Sequence, residues 1–186
     1  SSLLSQMMHY YNLPNSSIAG ASDSNIPDYQ AGYEKALTIA ASAQSGANLI
    51  TQSSGMLSGL MGVSLESFIL DNELCGSVLS SMRRVDVTTL GSDLNSIKQV
   101  IEQDKHFLGE SDTLKRMNTD FSYPKSARRL SPELWMKENE NIMFNDARKT
   151  LTELLSESFE SHLSPDTIKK IEAALDINLD IIKNSN

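Results

Sequence analysis

Residues 16–55 read SSIAGASDSNIPDYQAGYEKALTIAASAQSGANLITQSSG, and this stretch decides the fold. The short apolar run over 16–21 predicts a strand that leads into a polar loop. Asp28 is placed to cap a helix over 29–45. The residues 47–51 then predict a second strand, which a second polar loop follows. This order of strand, loop, helix, strand and loop is typical of a parallel α/β crossover.

Helices dominate the rest of the chain. The helical segments predicted by periodicity and capping signals lie at 3–11, 64–82, 88–103, 131–158 and 164–183. Ser64 is the expected cap of the second of these, and its apolar positions Leu65, Phe68, Ile69, Leu79 and Met82 are expected to share one face. The sequence therefore predicts a helix-rich α/β protein.

Composition excludes several classes of protein. Apolar residues make up 39% of the 186 residues and charged residues 22%, which is typical of a globular domain rather than a disordered chain. The net charge of −8 argues against nucleic acid and anionic membranes as partners. A single cysteine excludes an internal disulfide and a cysteine-cluster metal site. No apolar run reaches membrane-spanning length, so we expect a soluble, cytoplasmic protein.

Charge is unevenly distributed along the chain. Residues 1–80 contain six acidic residues and only one basic residue, Lys35. So few charges predict burial on several sides, because solvated helices carry a charged face. Two strands do not make a free-standing sheet, and a closed (β/α)8 barrel needs about 250 residues. We therefore expect part of a parallel sheet or barrel, and the start at Ser1 without an initiator methionine favours a fragment.

The candidate binding residues follow the two predicted strands. Asp23, Asp28, Gln30 and Glu34 come with two tyrosines directly after the first strand, and carboxylates with aromatic rings can hold a cation. Equally, Asp28 can be only a helix cap and Asp23 only an Asx turn. The second strand and its loop add Asn48, Thr51 and Gln52, which can hydrogen-bond a ligand or merely neighbouring backbone groups.

The remaining chemically active residue types favour structural roles. The isolated histidines have no metal-ligand spacing and are expected in the core or on the surface; they are His9, His106 and His162. Cys75 is expected to be a small core residue. Asp71 and Glu73 lie mid-helix among apolar residues, where a salt link or buried hydrogen bond explains them as well as catalysis does.

Five ordered blocks resemble the trimethylamine methyltransferase family. They are SDSNIPDYQAGYEKA at 22–36, GANLI at 46–50, GML at 55–57, ILDNE at 69–73 and HFLG at 106–109, within a resemblance that runs from about residue 3 to 155. That family is built on a TIM-like (β/α)8 barrel in chains well over twice this length. The resemblance implies that residues 1–109 are the C-terminal part of such a barrel and that residues 110–186 form a C-terminal helical extension.

The resemblance also implies an activity. Family members move a methyl group from a tertiary or quaternary methylamine to the cobalt of a separate corrinoid protein, in methanogenesis and one-carbon metabolism. The implied partners are the methylated amine and the cognate corrinoid protein, with no cofactor or metal bound directly, and we expect a homo-oligomer. The implied substrate-binding residues are Asp23, Asp28, Gln30, Tyr33, Glu34, Asn48, Thr51 and Gln52. No catalytic residue is assigned.

Two departures from the family pattern bear on the substrate. Members that act on quaternary amines often carry His where this chain has Thr51. The trimethylamine enzymes contain pyrrolysine, which an amber codon encodes, so we hypothesise that the chain lies downstream of such a codon. The alternative function is a noncatalytic binding or assembly module made of a partial barrel and helices. The chain by itself is expected to be inactive.

Overall fold

The computed structural model describes residues 2–84, 87–88, 90–103, 105–137, 143–156 and 162–175. Its helices are α1 (Ser2–Tyr10), α2 (Tyr29–Gln44), α3 (Leu65–Ser81), α4 (Leu90–Glu102), α5 (Ser111–Thr119), α6 (Pro132–Lys137), α7 (Met143–Ser156) and α8 (Pro165–Leu175). Its strands are β1 (Ser16–Ile18), β2 (Leu49–Thr51), β3 (Met56–Leu57) and β4 (Gly62–Val63). Two short 3-10 turns lie at Ser58–Leu60 and Phe107–Gly109.

The predicted crossover is present. β1 and β2 pair in parallel, with Ser16 opposite Leu49 and Ile18 opposite Thr51, and α2 connects them. The second sheet is the antiparallel pair β3–β4, which the sequence patterns did not predict. The helix-rich α/β organisation is therefore confirmed. The described residues contain these two two-stranded sheets and no closed barrel.

The helix α2 begins and ends where the sequence predicts. The Asp28 carboxylate caps it by accepting the Ala31 N–H at 2.9 Å, and Gly46 follows its last turn with φ of +85°. A positive φ of this kind favours glycine because a Cβ atom crowds the backbone. Ile39 and Ala43 of α2 belong to the core that packs beneath the β1–β2 pair, together with Ala19 and Val78.

The buried face of α3 differs from the predicted one. Ser64 caps the helix through the Ser67 N–H at 3.1 Å, as expected. However, the buried residues of α3 are Ser67, Asp71 and Val78. Four of the five apolar side chains expected on one face are exposed, namely Leu65, Phe68, Leu79 and Met82. The reason is that α3 packs Leu74, Cys75 and Val78 against the core cluster, and Asp71 on the same helix forms a buried ion pair with Lys35 of α2.

The helices α4, α6, α7 and α8 lie within predicted helical segments, whereas α5 was not predicted. The helix predicted over 131–158 consists of α6 and α7, and the residues between them lie outside the described residues. The last predicted helix is observed as α8 up to Leu175, and its expected continuation also lies outside them. None of the helices in the described part of the chain is both long and apolar enough to cross a membrane.

The chain divides into two compact units, residues 1–152 and residues 153–186. The first unit contains both sheets and the core. The second contains α8, whose first turn is capped by the Ser164 hydroxyl accepting the Thr167 N–H at 3.2 Å. The predicted boundary at residue 109 concerns the end of the barrel strands and stays a prediction.

Candidate functional site

Two loops meet at the carboxyl ends of the parallel strands. We call residues 20–25 the β1 loop and residues 52–55 the β2 loop. Gly20 has φ of +94°, and a Cβ atom at this position would lie 2.7 Å from the Ser53 Cα atom and 2.8 Å from the Ser53 carbonyl oxygen. Only glycine permits this approach, so the two loops form one continuous surface at the strand ends.

A network around Glu34 holds the β1 loop against α2. Glu34 Oε2 accepts the Ser22 hydroxyl at 2.6 Å and the Asp23 N–H at 3.0 Å, while Oε1 accepts the Gln30 side-chain amide at 2.9 Å. These bonds lower the pKa of Glu34, with the Ser22 hydroxyl as the largest cause and Gln30 next. Glu34 and Gln30 therefore lie in the predicted site, and their polar atoms are engaged in holding the loop.

The β1 loop is also fixed from the side of β3. The Ser22 carbonyl accepts the Gly59 N–H at 3.0 Å, and the Ser24 carbonyl accepts the Ser58 N–H at 2.9 Å. The hydroxyl of Ser58 donates to the Asn25 side-chain carbonyl at 2.8 Å. Backbone bonds on both sides make the β1 loop a preorganised platform rather than a loose connection.

Asp28 acts as the cap of α2. The Asp28 carboxylate accepts a hydrogen bond from the Ala31 N–H, and this bond is the largest cause of the lowered pKa of Asp28. Burial of the carboxylate acts in the opposite direction and raises the pKa. The carboxylate is therefore ionised at the positive end of the helix dipole, where a negative charge is favourable. This observation agrees with the capping interpretation, while a contact between Asp28 and a substrate stays a prediction.

Three of the predicted binding side chains are open to a ligand. Within the described part of the chain, the side chains of Asp23, Tyr33 and Gln52 have no hydrogen-bond partner. Asp23 is exposed directly beside the fixed residue Ser22, and Tyr33 packs its ring 5.7 Å from that of Tyr29. An unpaired carboxylate on the β1 loop, an amide on the β2 loop and a phenol on α2 thus remain available.

The predicted residues Thr51 and Asn48 lie at opposite ends of β2. The Thr51 hydroxyl donates to the Ser17 carbonyl at 3.5 Å, next to the β2 loop. Asn48 precedes β2, and its side-chain carbonyl accepts the backbone N–H of Asn15 at 3.0 Å and the Asn15 side-chain amide at 3.3 Å. The structure therefore brings Thr51 to the strand ends and does not bring Asn48 there.

A buried ion pair lies behind the two loops, and sequence patterns did not identify its cation, Lys35. Lys35 Nζ donates to Asp71 Oδ2 at 2.5 Å, and the same oxygen accepts the Gly55 N–H at 2.7 Å. The predicted alternative of a salt link for Asp71 is therefore confirmed. One signal pointed to Lys35, which is the only basic residue in the charge-poor first 80 residues. A lone cation in such surroundings needs a buried anion.

Glu73 also has a structural role, through hydrogen bonds that are exposed or partly buried. Its carboxylate accepts the backbone N–H groups of Lys125 and Ser126 at 3.0 Å and the Ser126 hydroxyl at 3.2 Å. These bonds join α3 to a segment that lies more than fifty residues after Glu73 in the sequence. Both carboxylates of the ILDNE block therefore organise backbone in this structure.

A cavity of about 670 Å³ opens beside the ion pair rather than at the strand ends. Its walls are mainly apolar, and they include Leu70, Leu74, Trp135 and Phe144 together with Asp28, Lys35 and Asp71. The volume suits a small ligand. Asp28 and Tyr29 also line it, whereas Asp23 and Glu34 do not, so the cavity reaches the start of α2 but not the β1 loop.

The histidines and the cysteine take no part in the strand-end surface. His9, His106 and His162 are exposed, and the described residues contain no group of His, Cys, Asp or Glu that could hold a metal ion. Cys75 packs against the core cluster, as the sequence predicts. The chemistry available at the strand ends is therefore charge, hydrogen bonding and aromatic contact.

Comparison with known proteins assigns the chain to a family. The trimethylamine methyltransferase family matches residues 1–177. The chain is 32% identical to a glycine betaine methyltransferase of Desulfitobacterium hafniense, over 72% of this chain and 28% of that protein. It is 27% identical to a trimethylamine methyltransferase of Methanosarcina barkeri, over 95% of this chain and 35% of that protein.

The chain thus spans about a third of the length of these relatives. The match confirms the resemblance carried by the five sequence blocks, and it extends it beyond residue 155. The chain belongs to the trimethylamine methyltransferase family.

Proposed function

We propose that the complete protein moves a methyl group from a tertiary or quaternary methylamine to the cobalt of a corrinoid protein. In this proposal the present chain supplies part of the amine-binding site. The observation that carries the proposal is the family match over nearly the whole chain, with relatives named for trimethylamine and for glycine betaine. The open Asp23 carboxylate at the strand ends supports it.

The chemistry makes modest demands on the protein. A reduced corrinoid supplies a strongly nucleophilic cobalt, which takes the methyl group while the C–N bond leaves its electron pair on nitrogen. The protein therefore has to hold a cationic amine so that one methyl group points toward the acceptor. Neither a proton donor nor a nucleophilic side chain is required from the quaternary amine's binding site.

The residues at the strand ends suit this task. Asp23 offers a negative charge beside the amine, and the rings of Tyr29 and Tyr33 lie next to each other on the first turns of α2. Gln52 offers an amide from the neighbouring β2 loop. Glu34 acts indirectly, since its oxygens hold Ser22 and the Asp23 amide. We therefore assign the charge contact to Asp23 and the loop-holding role to Glu34.

The proposal extends to the fold of the complete protein. We propose that β1 and β2 are neighbouring strands of a larger parallel barrel, of which this chain is the C-terminal portion. Both outer edges of the β1–β2 pair carry no further strand among the described residues, and Ile18 and Leu49 on this pair are exposed. Open edges and exposed apolar side chains are costly in a finished fold, so further strands are expected to cover them.

Methyl transfer by the complete gene product tests the proposal. Cobalt(I) corrinoid protein is offered trimethylamine, glycine betaine and related amines in turn, and methylation is followed by corrinoid absorbance. We expect transfer from one amine, and a rise of roughly tenfold in KM for Asp23→Asn, because a charge-assisted contact is lost. Asp112→Asn changes the net charge equally on an exposed helix and is the matched control.

The alternative of a noncatalytic binding module makes a different prediction. If the reduced cognate corrinoid protein receives no methyl group from any amine, the enzyme proposal is wrong and the module is favoured. If transfer occurs but Asp23→Asn behaves as Asp112→Asn does, the activity stands and the assignment of Asp23 is wrong.

A further inference from the structure

We propose that Asp71 is a positioning residue for the amine site, acting through the oxygen that accepts the Gly55 N–H, and that Lys35 balances the charge of this buried carboxylate. The proposal rests on the proposed function. Neither residue is assigned a contact with the amine. Asp71 acts through the β2 loop, which carries Gln52 at the strand ends.

The contact between Asp71 and the β2 loop is direct and buried. Asp71 Oδ2 accepts the Gly55 N–H at 2.7 Å and the Lys35 ammonium at 2.5 Å, so one oxygen joins α3, α2 and the loop. The Lys35 side chain is 2% exposed and the Asp71 side chain 9% exposed. Such charge-assisted bonds are stronger and more directional in a dry environment than at the surface.

The backbone of Gly55 is held on both sides by α3. Its N–H donates to Asp71, and its carbonyl accepts the Ser64 N–H at 3.0 Å. Gly55 has φ of +75°, and a Cβ atom there would lie 3.3 Å from the Ser64 carbonyl oxygen. The end of the β2 loop therefore has one position, which α3 sets.

The β2 loop connects the fixed backbone of Gly55 to the strand ends. Gln52 also has a positive φ, +62°, which is unusual for a residue with a side chain and persists only where surrounding contacts enforce it. Between Gln52 and Gly55, Ser53 lies so close to Gly20 that no Cβ atom fits there. A displacement of the Gly55 backbone therefore also moves Gln52 and, through the contact of Ser53 with Gly20, the β1 loop that carries Asp23.

Stability alone does not account for this ion pair. A buried pair can often be replaced by apolar side chains of similar volume without loss of stability, because desolvation offsets the attraction between the charges. An apolar pair cannot accept the Gly55 N–H. The contact with the loop is thus the feature that requires an oxygen at residue 71.

Two double variants of the complete protein separate these roles. In Lys35→Met with Asp71→Asn, both charges are gone but an amide oxygen can still accept the Gly55 N–H. In Lys35→Met with Asp71→Leu, the charges and the acceptor are both gone. We expect the KM for the amine to rise about tenfold in the Leu variant and to stay within about threefold in the Asn variant.

The matched control is Glu73→Gln. It alters a carboxylate on the same helix that also holds backbone N–H groups, but those of Lys125 and Ser126 instead of the β2 loop. We expect its KM for the amine to equal that of the unmodified protein. Equal KM values for the Leu and Asn double variants, both folded, overturn the proposal.

Hydrogen exchange at the Gly55 amide tests the contact without relying on activity. We expect strong protection in the unmodified protein and in the Asn variant, and at least a tenfold loss of protection in the Leu variant. Exchange at the rate of an unstructured amide in the unmodified protein overturns the proposal even if no variant folds. Absence of methyl transfer by the unmodified protein instead overturns the proposed function, and the positioning role with it, while the exchange result still reports the contact.

Discussion

The Glu34 carboxylate accepts the Ser22 hydroxyl at 2.6 Å, and this bond joins the first turns of α2 to the β1 loop. The same oxygen accepts the neighbouring Asp23 N–H, so the backbone of Asp23 is fixed while its carboxylate stays exposed. Glu34 thus fixes the loop, while the neighbouring Asp23 carboxylate is the one proposed to contact the ligand. Glu34 is needed to place Asp23, although its own charge is already satisfied.

The Glu34 network makes stability depend on pH. Hydrogen bonds lower the pKa of Glu34 in the folded state, the Ser22 hydroxyl contributing most. Its contribution to stability is therefore fully present above the unfolded pKa of about 4.3 and is lost as the pH falls through the folded pKa. We expect the difference in Tm between the complete protein and Glu34→Gln to be constant from pH 8 to 5 and to shrink below about pH 4.

Glu102→Gln is the control for this titration. Glu102 is exposed on α4, and its oxygen lies 3.7 Å from Lys98 Nζ. Exposed pairs of this kind contribute little to stability, so the control should change Tm only slightly at every pH. A Glu34→Gln difference that persists unchanged below pH 4 would mean that the carboxylate charge does not hold the loop.

A pair of glycine substitutions tests the contact between the two loops. Gly20→Ala places a Cβ atom 2.7 Å from the Ser53 Cα atom at a residue with φ of +94°, and both backbones must move. We expect a loss of about 2 kcal/mol or more in the free energy of unfolding, from overpacking and backbone strain together. Denaturant unfolding of the complete protein measures it.

The matched control is Gly32, twelve residues after Gly20. A Cβ atom at Gly32, within α2, meets no atom within 4 Å. Gly32→Ala should therefore stabilise the protein by about 0.5–1 kcal/mol through helix propensity. If Gly20→Ala were tolerated as well as Gly32→Ala, the close approach of the two loops would be wrong.

The elements around the site could be predicted because their signals are local. A cap such as Asp28 or Ser64 acts on backbone groups two or three residues away, and the strands are short apolar runs between polar loops. The buried face of α3 could not be predicted in this way. An apolar pattern places Leu65 and Phe68 inside, whereas a partner 36 residues away brings Asp71 inside.

The candidate site was predicted as a set of residue types, and the structure separates their roles. Asp23 and Gln52 follow the two strands and have open side chains, while Glu34 and Gln30 hold the β1 loop. Asn48 precedes β2 and therefore lies at the end of the strand opposite to Thr51, where its side chain binds Asn15. Pairings between distant residues decide these differences.

Substitutions at Asp28 separate capping from charge. Asp28→Ala removes the acceptor of the Ala31 N–H and should lower Tm, because the first turn of α2 loses its cap. Asp28→Asn keeps an oxygen acceptor and should lower Tm less, since asparagine and aspartate cap about equally well. Thermal unfolding of both variants at pH 7 measures this order. Equal losses would show that the negative charge, rather than the cap, is what matters.

Glu73 is expected to hold the segment around Ser126 in place. Its carboxylate accepts two backbone N–H groups and the Ser126 hydroxyl, and Ser126 is 5% exposed. Glu73→Ala leaves these donors without a protein acceptor, which should cost about 2 kcal/mol for bonds to a charged group. Hydrogen exchange of the complete protein should show faster exchange at Lys125 and Ser126, with the β2 loop unchanged.

Arg148→Ala is the comparison, because Arg148 forms an exposed pair with Glu66 whose loss should change the free energy of unfolding by less than about 1 kcal/mol. Unchanged exchange at Ser126 in Glu73→Ala would show that other contacts hold this segment against α3.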